Sequence, residues 1–104
     1  KNLNKSNSAI DFYVKKNINE NTSVLDKKKS IIINEIFFNQ PEEVVFRSLS
    51  KLIHEIGNKK SFTRGRKIVS LLKDINSNIN FRKKTLSGCI LEKVNKSIII
   101  SKEK

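Results

Sequence analysis

TLSGCILEKVNKSIIISKEK, residues 85–104, decides the fold class of this chain. Thr85–Leu86, Cys89–Val94 and Ser97–Ser101 are β-type segments, and Ser87–Gly88 and Asn95–Lys96 are turn pairs between them. Ile90 and Val94, each two residues from Glu92, are read as the in-and-out positions of one strand. Ile98 and Ile100 then pair against them in an antiparallel hairpin. A two-stranded hairpin is not stable alone in water, so this one must lie on helices.

Those helices stand immediately upstream. In PEEVVFRSLSKLIHEIG, residues 41–57, Pro41 fits a first helical turn, and Glu42 and Glu43 sit near the positive end of the dipole. Val45, Leu49, Leu52, Ile53 and Ile56 share one face with Phe46 on its flank, and Gly57 is placed to end the helix in a left-handed conformation. A second helix is expected from a Ser61 or Thr63 cap to about Asn76. Its apolar face is Ile68, Val69, Leu72 and Ile75, with Leu71 on the margin. The short connection makes the two a helical hairpin. Gly65, inside the first turn, marks a local weakness or a close approach.

The N-terminal third is less decisive. Ile31–Ile33 reads as a short strand or as the entry to a helical turn around Glu35–Phe38, and Phe37 and Phe38 should close over the core. NENTSVLDKKKS, residues 19–30, reads as a polar connector. Ile10, Val14 and Ile18, spaced by four with Tyr13 beside them, give residues 1–22 a thin apolar helical stripe. The expected architecture is α+β, with an N-terminal amphipathic arm, a helical hairpin and a C-terminal antiparallel β-hairpin. Residues 1–36 form the arm and connector, and residues 37–104 the domain proper.

With 104 residues there is room for one modest core. The chain starts at Lys1 and contains no Met, and we read it as a piece of a longer protein. The single Cys89 excludes an internal disulfide, and one His54 excludes a histidine metal site. No apolar run approaches membrane-spanning length, and the N-terminus lacks a signal-peptide core. A cytoplasmic protein without membrane contact is expected.

The formal charge of +12 needs a discount, because Lys (18), Ile (15) and Asn (13) all have A/T-rich codons. Clustering is the better signal. Lys59, Lys60, Arg64, Arg66, Lys67, Lys73, Arg82, Lys83 and Lys84 face one acid, Asp74, so +8 falls between residues 57 and 84. Residues 1–56 hold nine Lys or Arg against seven acids. Three cations at a helix start oppose the dipole, and a bound phosphate resolves that conflict. Arginine can hold a phosphate bidentately, and lysine acts as a mobile point charge. The nine cations are therefore the candidate RNA-binding residues, reading backbone charge and shape. Phe62 and Phe81 are the only rings in the segment, too few for sequence-specific stacking.

No catalytic constellation can be assembled: there is no Gly-rich phosphate loop, H-E-x-x-H, or Cys–His pairing. Adjacent Glu42 and Glu43 suit a helix start, His54 a core edge, and Cys89 a small buried apolar position. No catalytic or metal-binding residue is assigned, and no cofactor is expected in these residues.

The succession from Phe37 to Lys104 resembles the region after the catalytic domain of bacterial tRNA(Ile)-lysidine synthetases. The matching elements are an Arg-x-Leu helix core (Arg47–Leu49), a helix start at Ser61-Phe62-Thr63-Arg64, a Leu-Gly-Gly-Cys-like turn at Leu86-Ser87-Gly88-Cys89, and a hairpin ending near Glu103. Prolines expected before Arg64 are absent, and Ser87 replaces a common Gly. The family's ATP-binding Ser-Gly-Gly-x-Asp-Ser loop is absent from these residues. The resemblance implies a non-catalytic, tRNA-binding accessory domain of a ligase that attaches lysine to the wobble cytidine of an isoleucine tRNA. ATP with magnesium would belong to a catalytic domain in cis. The alternative is a structural interdomain or homodimerisation module without a nucleic-acid role, built on Phe37, Phe38 and the N-terminal stripe.

Overall fold

The computed structural model describes residues 2–26, 30–57, 64–77 and 82–103. Lys59, Lys60, Ser61, Phe62, Thr63 and Phe81, on which several expectations rest, lie outside these residues. The described elements are α1 (Asn2–Asn21), β1 (Thr22–Asp26), β2 (Ser30–Ile33), a 3-10 turn (Glu35–Asn39), α2 (Glu42–Gly57), α3 (Gly65–Ser77), β3 (Lys83–Leu86), β4 (Cys89–Val94) and β5 (Ser97–Lys102). The class is α+β, as expected.

The C-terminal hairpin is the middle of a larger structure. Five antiparallel strands run in the order β1-β2-β5-β4-β3. Leu91 pairs with Ile100, Ile100 with Ile31, and Ile98 with Ile33. Residues directly opposite share a face, so these side chains form one inward surface with Cys89. Leu91, Ile100, Ile33 and Ile98 are buried there. This corrects the reading of β4: Cys89 and Leu91 point inward, while Ile90, Glu92 and Val94 share the opposite face. Both tight turns form where expected, with positive φ at Ser87 (51°), Gly88 (81°) and Asn95 (59°).

Within the expected polar connector, Thr22–Asp26 form strand β1. Val24 and Leu25 remain 70% and 53% exposed, so its burial is slight. Its pairing with the free edge of β2 forms it, and a register irregularity between Val24 and Asp26 ends the regular pairing. Ile31–Ile33 and the segment after it take both proposed forms in succession, a strand and then a 3-10 turn. Asn34 separates them, its side-chain oxygen accepting from the Phe37 N–H at 3.1 Å. Because β2 pairs with β5, the sheet runs across the division drawn at residues 36 and 37. The arm and the domain share one fold.

Helix α1 docks through its stripe and through buried amides. Val14 is buried, and so are Asn17 and Asn21. Asn17 donates to the Ser48 hydroxyl (3.3 Å) and to the Phe37 carbonyl (3.4 Å), and Asn21 donates to Asn17 (2.8 Å). Asn34 continues the chain by donating to Asn21. Buried amides are tolerated when hydrogen-bonded in this way, and they fix the register of α1 on α2.

Helix α2 starts one residue later than its proline suggests: Pro41 lies outside it, and its carbonyl accepts from Val45 N–H at 3.0 Å. Val45, Leu49, Leu52 and Ile53 are buried as expected, and Val44 and Ser48 are buried as well, because α2 is covered on two sides. Gly57 is the last residue of α2 and does not adopt a positive φ. Its lack of a side chain instead lets the Ser87 carbonyl approach its backbone. On α3 the inward face is Ile68, Leu71 and Ile75, while Val69 is 43% exposed, which reverses the roles given to Val69 and Leu71. No described helix is long and apolar enough to cross a membrane.

Candidate nucleic-acid interface

The cationic start of α3 is built on the ring of Phe46. Arg64 occupies the position before the helix, its carbonyl accepting from Lys67 (3.0 Å) and Ile68 (3.3 Å). Gly65, the first helical residue, lies so close to α2 that a β-carbon there would stand 3.3 Å from Phe46 Cζ. Of its two expected explanations, close approach is the one observed. The burial of Ile68 then fixes the rotation of the helix and leaves Arg64, Arg66 and Lys67 exposed. The N–H groups of Gly65 and Arg66 belong to the first turn, where an α-helix offers no acceptor of its own. No acid lies in that turn. The dipole and three side-chain charges therefore add to one positive field at a solvent-exposed helix end.

The remaining predicted cations are divided. Lys73 is exposed on α3, one turn beyond Val69. Arg82 is exposed just ahead of β3, and its carbonyl accepts from the Lys93 N–H at 2.8 Å. Lys83 lies across from Glu92 on the outer face of the sheet, whereas Lys84 faces inward and forms an ion pair with Asp74 of α3. Alternation along β3 thus separates Lys83 from Lys84. Among the described residues, Arg64, Arg66, Lys67, Lys73, Arg82 and Lys83 form no ion pair.

Between the start of α2 and the outer side of α3 lies a groove of about 440 Å³. Phe38, Val45, Phe46, Val69 and Leu72 form its apolar surface, and polar side chains from both helices edge it. Sequence reasoning missed this groove, because its wall combines the flank of one helix with a residue assigned to the core of another. The readable signal was the width of the stripe: α3 carries five apolar residues, and its inward face uses three, leaving Val69 and Leu72 beside the groove.

Cys89 is fully buried, and its thiol donates to the Ile53 carbonyl at 3.2 Å. Burial raises its pKa from 9.0 to about 11, opposed by a backbone hydrogen bond from Gly57 and assisted by the charge of Glu103. The folded thiol holds its proton more tightly than the unfolded one. Its stabilising contribution is therefore complete below pH 9 and is lost as pH rises toward about 11. At pH 8 a thiol reagent is expected to label Cys89 only in the unfolded fraction, so labelling rates should follow a urea unfolding curve. Rapid labelling without denaturant would contradict this placement. Among the described residues no group of three or more His, Cys, Asp or Glu is arranged to hold a metal ion.

Comparison with protein-family models, with curated proteins and with solved structures finds no match to this chain.

Proposed function

We propose that this chain is the tRNA-binding accessory region of a cytoplasmic ligase similar to tRNA(Ile)-lysidine synthetase, holding its RNA by backbone contacts while a catalytic domain in cis acts on it. The observation that carries this reading is the exposed first turn of α3. There Arg64, Arg66 and Lys67 have no described carboxylate partner and surround backbone donors at the positive helix end. Such an arrangement is unfavourable for the isolated helix and favourable once a phosphate is bound. The sequence resemblance supplies the particular RNA and the lysine-transfer reaction of the parent enzyme.

Phosphate binding is read by salt dependence. Contact with three to five phosphates gives a log–log slope of roughly −2 to −4 for tRNA affinity. Replacing Arg64, Arg66 and Lys67 together with Ala is expected to reduce that slope by about 2 to 3, because each lost phosphate contact removes about one unit. All three side chains are exposed, so the far-ultraviolet spectrum and urea midpoint should be retained. A folded triple variant with unchanged tRNA affinity and slope sinks the proposal. The alternative, a dimerisation module, loses two of the residues it named, since Phe37 and Val14 are buried within the fold itself.

A further inference from the structure

We propose that the groove between α2 and α3 receives a single unstacked RNA base carrying an exocyclic amino group, while the adjoining phosphate rests on the first turn of α3. This rests on the phosphate-binding reading above and adds base recognition to it. The two sites share a residue: the ring of Phe46 lines the groove and also lies against the backbone of Gly65. A nucleotide with its phosphate at Arg64, Arg66 or Lys67 therefore has an apolar recess beside it.

The composition of the groove suits a base better than a hydrocarbon. Phe38 and Phe46 bring aromatic faces and edges, Val69 and Leu72 form the opposite wall, and a volume of about 440 Å³ is ample for a purine. Glu42 and Glu43 of α2 and Lys73 of α3 are among its lining residues. Glu43 is already paired with Arg47 at 2.7 Å. Glu42 is exposed in the first turn of α2 and forms no ion pair with a described residue. Carboxylates repel phosphate, so these residues cannot follow the RNA backbone; they accept hydrogen bonds from the amino groups of adenine, cytosine and guanine. Uracil offers only carbonyl oxygens at the equivalent position and is disfavoured there. Lys73, exposed on α3 and also lining the groove, offers a cation to a neighbouring phosphate. Cations at the start of α3, carboxylates lining the groove and the Phe46 ring shared by both match the mixed polarity of a nucleotide.

Fluorescence anisotropy at fixed salt, using a blunt RNA duplex and the same duplex with one bulged nucleotide, tests the assignment. The ratio of the two affinities is the readout, since it cancels the shared phosphate attraction. A bulged adenosine or cytidine is expected to bind about 10-fold more tightly than the blunt duplex, as one base gains an aromatic platform. A bulged uridine should be about 5-fold weaker than a bulged cytidine, the effect of one hydrogen bond of ordinary net strength at a solvent-exposed carboxylate. Val69→Glu should bring the bulge-to-duplex ratio to about one, and Glu42→Gln should erase the cytidine-over-uridine preference while keeping the ratio. Both positions are exposed, so neither variant threatens the core.

Equal binding of bulged and blunt RNA overturns the groove assignment and leaves the phosphate reading intact. Failure to bind either RNA overturns both. A concentration-dependent increase in mass by light scattering without RNA, abolished by Val69→Glu, would assign the groove to a second copy of this chain and also overturn the proposal.

Discussion

Gly57→Ala is expected to destabilise the protein by about 2–3 kcal/mol, against the usual direction of the substitution. In a helix interior, Ala is better than Gly by about 1 kcal/mol, and Gly57 has no positive φ to protect. The opposing effect is steric. A β-carbon at Gly57 would fall well inside contact distance of the Ser87 carbonyl oxygen and within 3.3 Å of Cys89 Sγ. Both obstacles are hard to move, since one is backbone in the turn between β3 and β4 and the other is a fully buried side chain. Gly65→Ala is the matching control, because among the described residues its new methyl would meet only the Phe46 ring, at 3.3 Å. That variant should stay within about 1 kcal/mol of the parent. Urea unfolding of both variants gives the comparison. If Gly57→Ala is neutral or stabilising, the approach of the β3–β4 turn to the end of α2 is misplaced.

Phe37→Ala is expected to cost about 3–5 kcal/mol, a large share of the 5–15 kcal/mol typical of a domain. Phe37 is fully buried, in edge-on contact with Phe38 at 5.0 Å between ring centres, and its carbonyl accepts from Asn17. Removing the ring opens a cavity where α1, the 3-10 turn and α2 meet, a junction too rigid to collapse over it. Thermal midpoints should fall by about 4–8 °C for each kcal/mol lost. Phe38→Ala is expected to cost less, because its ring is half-buried and faces the groove. Equal effects of the two substitutions would contradict this division between core and groove.

The pair Phe37 and Phe38 shows where sequence reading ends. Both are adjacent, identical and apolar, so nothing local ranks them. The 3-10 turn places one beneath α1 and leaves the other beside α3. Val69 and Leu71 show the same limit on a helix. A stripe of five apolar residues is wider than the face actually buried, and the packing of α3 against α2 and the core selects which of them turns inward. Strand β1 was illegible for a different reason: its residues carry no burial pattern, and it exists because β2 leaves a backbone edge that needs hydrogen bonds.

The candidate site was legible in its charge and illegible in its shape. Arg64, Arg66 and Lys67 could be placed at a helix start from spacing alone, and the structure has them exposed at the start of α3. Arg82, Lys83 and Lys84 looked like one continuous track. Strand alternation turns Lys84 inward to Asp74 and leaves Lys83 on the outer face.

By itself the sequence determined the α+β class, the two C-terminal turns, the principal helix and the crowding of cations between residues 57 and 84. These are local properties, set by periodicity, turn chemistry and composition within a few residues. Only the tertiary structure decided that the hairpin belongs to a five-stranded sheet, that Gly57 is needed for a close approach, and that Phe46 joins the cationic turn to a groove. Each of those outcomes depends on contacts between segments far apart in the chain. Their geometry is fixed by which surfaces exclude water together, and no single segment carries that information.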